Sequence, residues 1–172
     1  MANRATREWG RIDPKERQIL EKHLEERPVK LGALAQDLGV SIKVSSMKPG
    51  MSGQISNEDG SYVIRVNRHE MRERQRFTIA HELAHYLLHR EVIDSSPDGI
   101  VDNVLYRSGK AESIEFEANR LAADIVMPAR QVEEQLGVYG GTVTDDVIEI
   151  LASDFQVSKA AMEIRLGASI AA

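Results

Sequence analysis

The stretch "FTIAHELAHYLLH", Phe77 to His89, restricts the fold more than any other part of the chain. From about Glu70 the apolar residues recur with a helical period, and Phe77, Ala80, Leu83, Ala84, Leu87 and Leu88 form one broad apolar face. A helix of this kind belongs inside a protein, yet it also carries His81, Glu82 and His85. Burying two imidazoles and a carboxylate without partners costs on the order of several kcal/mol. The fold must therefore bring partners to them, and a divalent ion is the simplest one.

His81 and His85 are one turn apart, so both side chains leave the same helix face and can converge on a single tetrahedral Zn²⁺. Glu82 points about 100° away. That direction is wrong for a ligand but right for a general base beside the ion's open position, where water would sit. This is the mechanical content of the H-E-x-x-H pattern. His89 lies roughly 12 Å along the axis from His81, too far to share the ion on a regular helix, so an outer or surface role is expected. The longer metzincin motif is absent, because Leu88 and Glu91 stand where it needs glycine and histidine.

The third ligand must come from elsewhere. A later helix is written in "ESIEFEANRLAADIVMP", where Ile114, Ala118, Leu121, Ala122 and Ile125 repeat at helical spacing up to Pro128. Glu112, Glu115 and Glu117 are candidates, all of them ordinary solvated charges by default. Glu115 is chosen because Asn119 follows one turn later and can orient a metal-held imidazole. Glu117, roughly 160° round the helix, is the reserve. Two imidazoles and one carboxylate leave Zn²⁺ a strong Lewis acid that brings water toward a pKa of about 7. Glu82 would take the proton as a peptide carbonyl is attacked and return it to the departing amine. A second oxyanion donor is left open among Tyr106, Tyr139 and Arg107.

Elsewhere the pattern is plain. "DPKERQILEKHLEER" carries Asp13 as N-cap, Pro14 at the first helical position and Glu16 placed for a capping box. "VKLGALAQDLG" is a second short helix stopped by Gly39. Residues 41–67 alternate in hydrophobicity around Lys48-Pro49-Gly50 and Asp59-Gly60, and read as a three-stranded antiparallel meander. Residues 91–109 look irregular, with a strand suggested in "IVDNVLYR". "PARQVEEQLG" and two short helices about "DFQVS" complete the chain. The expected class is α+β: a mainly helical zincin-like domain, a small three-stranded antiparallel sheet packed on the histidine helix, and a C-terminal helical tail. Residues 1–137 are expected to form the zincin-like part, and 138–172 a helix-turn-helix-like segment packed on it.

The 172 residues suffice for a core without disulfides, and there is no cysteine to make one. The start shows no signal-peptide pattern, and no stretch approaches the eighteen apolar residues of a membrane span, so a cytoplasmic protein is expected. The net charge of −5 and the few cations of the tail argue against direct nucleic-acid binding. The run Arg65, Arg68, Arg72, Arg74 and Arg76 is interleaved with Glu70 and Glu73, as on a solvated helix face.

"RQRFTIAHELAHYLLH" together with "EFEANRLAADIVMP" closely resembles the ImmA/IrrE family of metallo-endopeptidases. "LAQDLGVSIKV", "SGQIS" and "YVIRVN" look like that family's lead-in, and "LASDFQVSKAAMEIRL" like its tail. Ala84 stands where glycine is common, and "IVMP" replaces a more usual "LLMP"; neither touches a proposed ligand. The resemblance implies a gluzincin-like fold, with His81, His85 and Glu115 as zinc ligands and Glu82 as catalytic base. It also implies that an edge strand of the meander binds an extended substrate by strand addition. The implied substrate is a helix-turn-helix transcriptional repressor, cleaved to relieve repression in stress responses, phages or mobile elements. The alternative is a non-enzymatic regulator that binds a repressor, a toxin-like partner or DNA and uses zinc only as a clamp.

Overall fold

A computed structural model describes residues 7–103 and 110–167. After a 3₁₀ turn at Trp9–Arg11, α1 spans Pro14–His23 and α2 Leu31–Leu38. Asp13 caps α1 through Oδ1, which accepts from the backbone N–H of Lys15 and Glu16. Glu16 does not reach back to complete a capping box; its carboxylate accepts from Arg90 Nη2 at 2.6 and 2.9 Å. Gly39 closes α2 in the left-handed region, at φ 79°.

Three strands follow, β1 (Val40–Ser45), β2 (Met51–Glu58) and β3 (Ser61–Asn67), and a fourth, β4 (Ile100–Asn103), joins them later. The sheet order is β1-β3-β2-β4. The expected three-stranded antiparallel meander is therefore corrected on two counts. β1 pairs with β3 in parallel rather than with β2, and there are four strands. The physical reason lies in the connections. Asp59-Gly60 makes a two-residue hairpin that fixes β2 against β3, with Ile55 opposite Ile64. Five residues including Pro49 link β1 to β2, too many for a tight hairpin, and they carry the chain past β3. β4 then pairs antiparallel with β2, placing Ile100 opposite Ile55 and Asp102 opposite Gly53.

The inner sheet face, Ile55, Ile64, Val66 and Ile100, lies against α3 (Arg72–Leu88), the histidine helix. That helix ends one residue before His89, which caps it and starts a short α4 at Arg90–Asp94. The longer uninterrupted helix expected up to "IDSSPDG" is thus two helices. On its other side α3 packs against α5 (Lys110–Val126). Pro128 ends α5 and is the N-cap of α6 (Ala129–Val138). α7 (Asp145–Phe155) and α8 (Lys159–Arg165) follow, with Gln156 left-handed between them. Leu83, Ala84, Leu121, Ile125, Leu151, Phe155 and Met162 are fully or almost fully buried in one continuous apolar core. The basic run is taken up locally: Arg74 pairs with Glu70, Arg68 donates to the Val44 carbonyl, and Arg76 donates to the Val29 carbonyl.

Candidate metal centre

The site forms where α3 and α5 cross. His81 and His85 leave α3 one turn apart, and Glu115 reaches them from α5. His81 Nε2 lies 2.8 Å from Glu115 Oε2, His85 Nε2 lies 3.1 Å from Glu115 Oε1, and the two Nε2 atoms are 3.1 Å apart. All three side chains are buried. The outer nitrogens are also held. His81 Nδ1 donates to Asn119 Oδ1 at 2.8 Å, and His85 Nδ1 lies 2.9 Å from His89 Nδ1.

The donor chemistry can be tested from these contacts. With its Nδ1–H committed to an amide oxygen, a neutral His81 presents a bare Nε2 lone pair to a carboxylate and to a second imidazole nitrogen. Acceptors that face one another at about 3 Å repel unless a proton or a cation sits among them. Among the described residues, Glu115 Oε2 and both Glu82 carboxylate oxygens are buried without a hydrogen-bond partner. Glu82 itself is 0% exposed. Burial first, then the negative charges of Asp102 and Glu115, push the Glu82 carboxyl well above its ordinary value. For Glu115 burial acts upward too, but the facing imidazoles of His81 and His85 outweigh it and lower its pKa. Burial drives the His85 imidazole down, and burial, with His85 and Arg11 nearby, takes His89 to about 4. A buried collection of imidazoles and unsatisfied carboxylate oxygens fits a divalent cation with nitrogen and oxygen ligands, of which zinc is one.

Two residues that shape the site were not read from the sequence. Asp102, on β4, is buried and lies with His81 and Glu82 in a second compact group of potential ligands. Its signal was an acid at the inward register of a short strand, after inward Ile100. Gly53, on β2, sits between Val66 and Asp102 on the inner sheet face. A Cβ there would lie 2.5 Å from Thr78 Cγ2 and 3.5 Å from Glu82 Oε1. The missing side chain lets the strand approach α3 right behind the proposed base, and an isolated glycine inside a strand was the available cue.

The other sequence candidates are distributed as follows. Glu112 is exposed, and Glu117 faces His89 and Arg11 rather than the three donors. Tyr106 and Arg107 lie outside the described residues. Tyr139 follows α6, is 40% exposed, and is not part of the open cleft that reaches His81. That cleft is walled by Phe77, Thr78, Asp102, Phe116 and Asn119, with α8 contributing Ile164.

Known proteins agree with this architecture. A solved structure described as a Mycobacterium tuberculosis transcriptional regulator superposes with a TM-score of 0.56, at 18% sequence identity, over 90% of this chain and 47% of its own. The likeness is one of fold, and the chain spans about half the length of that protein. No curated protein sequence matches. No helix among the described residues is long and apolar enough to cross a membrane. Residues 35–167, which contain the histidine helix, the sheet and Glu115, match the family model described as the IrrE N-terminal-like domain (Peptidase_M78), and the chain belongs to that family.

Proposed function

We propose that this chain is a zinc-dependent endopeptidase that cuts a helix-turn-helix transcriptional repressor at a specific peptide bond and so relieves repression. One observation carries the reading: three buried donors converge from α3 and α5 while the carboxylate next to them, Glu82, has no hydrogen-bond partner among the described residues. A base that is already satisfied would have nothing to do; an unsatisfied one beside a donor cluster is placed to handle a proton. Family membership supports peptidase chemistry, and the regulator-like fold neighbour is in keeping with a role in transcription control.

His81, His85 and Glu115 would hold the ion, with Asn119 fixing the ring of His81. When bound, a divalent ion supplies Lewis acidity toward a carbonyl and lowers the pKa of water. Glu82 takes a proton from the attacking water and delivers it to the departing amine, so that one O–H and one C–N bond break as C–O and N–H bonds form. Burial, and after it the negative neighbours Asp102 and Glu115, raise the proton affinity of Glu82, which suits an acceptor. Phe77 and Phe116 line the cleft against which the substrate segment would lie.

The test is cleavage of a candidate repressor by purified protein, with and without chelator, beside Glu82→Gln. The variant should keep its zinc and lose roughly 10²–10⁴-fold in turnover, the usual worth of a positioned base. Cleavage that survives metal removal, or a variant as fast as wild type, ends this reading. Zinc retention with tight repressor binding and no cleavage points instead to the non-enzymatic regulator.

A further inference from the structure

We propose that His89 and Glu117 are positioning residues that set the tautomer of His85, and that Arg11 anchors the arrangement from the N-terminal segment. The inference rests on the reading of His81, His85 and Glu115 as the metal ligands. Its starting point is a line of side chains leading away from the donors. His85 Nε2 faces Glu115 and His81, whereas its Nδ1 lies 2.9 Å from His89 Nδ1. His89 is buried, and its far nitrogen, Nε2, has no hydrogen-bond partner among the described residues but lies 3.7 Å from Glu117 Oε1. The other oxygen of Glu117 pairs with the Arg11 guanidinium.

Two neutral imidazoles that meet Nδ1 to Nδ1 have only two ways to share one hydrogen bond. Either His89 donates, which leaves His85 with its proton on Nε2 among the donors, or His85 donates, which leaves that Nε2 bare. Only the second leaves His85 able to bind a cation through Nε2. A carboxylate facing His89 Nε2 decides between them. It favours a proton on that nitrogen, so His89 Nδ1 becomes the acceptor and His85 Nδ1 the donor. Arg11 keeps the Glu117 carboxylate in place, and it lies outside the family-matched residues 35–167. The chain ahead of the matched domain thus reaches the metal ligands through three side chains. His81 receives the same service more simply, from the amide oxygen of Asn119.

The experiment measures zinc affinity of the full chain by competition with a chromophoric chelator, and melting of the chelated protein as a separate readout of folding. His89→Leu should weaken zinc about 10–100-fold, the usual cost of losing an outer partner of a metal histidine. His89→Gln, whose amide oxygen can still accept from His85, should recover much of that loss at a melting temperature like that of His89→Leu. Glu117→Gln should fall between wild type and His89→Leu. Long-range ¹H–¹⁵N spectra of the zinc-loaded wild type, which need no variant, should place the His89 proton on Nε2. A proton on Nδ1, or a His89→Leu protein that binds zinc as tightly as wild type, overturns the proposal. His85→Ala serves as the control: if it too keeps wild-type affinity, or if wild type binds no zinc, the ligand assignment itself fails.

Discussion

Among the described residues, the histidine–carboxylate cluster at His23 and the one at His81 and His85 are built on opposite principles. Between α1 and α2, His23 has both nitrogens occupied by carboxylates, Nδ1 by Glu26 at 2.8 Å and Nε2 by Asp37 at 2.7 Å. Two anions on one ring call for a charged imidazolium. Burial opposes that charge, but the hydrogen bonds with Asp37 and Glu26 prevail and raise the His23 pKa. Between α3 and α5 the outer nitrogens meet neutral partners, Asn119 and His89, and the inner nitrogens turn toward one carboxylate and each other. The first cluster closes its charge balance with its own proton. The second leaves carboxylate oxygens buried and unsatisfied, and it is the one that fits a cation. Residue type does not separate these clusters; the partner of the second ring nitrogen does.

Metal removal by mutation should give the largest divergence. His85→Ala should drop zinc content toward nothing and abolish cleavage, a loss beyond the roughly 10–100-fold expected from an outer partner. His23→Ala should leave zinc content at the wild-type level. Metal analysis of the two purified proteins decides it, and equal zinc in both would erase the distinction drawn here. Asn119→Leu comes next, with zinc affinity down about 10–100-fold. Asp37→Asn, the matching removal of a ring partner at His23, should leave the affinity untouched in the same chelator competition.

How far the sequence carries toward this contrast depends on the range of the contact. The meeting of His81 with His85 follows from helical spacing alone, and the apolar setting of α3 follows from its periodicity. That Glu115 meets them depends on the angle at which α3 crosses α5, which no local spacing encodes. The Asn119 spacing and the family resemblance pointed to it instead. Glu117 has the same chemistry two residues away, and only the helix face distinguishes it. The parallel pairing of β1 with β3 was missed for a similar reason: alternation reports which residues face inward, not which strand lies alongside. Asp102 comes from a segment whose order in the sheet depends on a loop, and His89 owes its place to a helix that stops at Leu88, several residues earlier than its composition suggests.

Packing around the two clusters offers a third comparison. Gly53→Ala would push a methyl group to 2.5 Å from Thr78 Cγ2 and 3.0 Å from the Arg65 carbonyl. An overpacked position of this kind costs about 1–3 kcal/mol. Thr78, one turn ahead of Glu82 on α3, must shift to accommodate it, while Glu82 Oε1 at 3.5 Å stays in ordinary contact. The disturbance of α3 at the proposed base should lower turnover while zinc content holds. Gly32→Ala, on α2 near the His23 cluster, meets nothing within 4 Å. It should stabilise the protein by about 0.5–1 kcal/mol, since alanine is the better helix residue. Chemical denaturation of the pair should show shifts of opposite sign. A neutral Gly53→Ala would mean that the close approach of β2 to α3 is not tight.

The smallest effect concerns the pH response of the His23 cluster. Its folded pKa lies above the ordinary imidazole value of 6.5, so the stability it contributes is fully present below about pH 6.5 and is lost as the pH rises through the higher folded value. The sign has a simple origin: a neutral ring has one N–H, and deprotonation turns the other nitrogen's lone pair toward a carboxylate. Asp37 is 46% exposed, so solvent screens the pair and the contribution is held to roughly 0.5–1 kcal/mol. His23→Gln should therefore lower the melting temperature relative to wild type at pH 5.5, and the gap should narrow by pH 8.5. The difference between the two proteins removes the titration of all other groups, because only position 23 changes. A gap that widens with pH would mean that the ring is neutral in the folded protein, and His23 would then join His85 instead of standing against it.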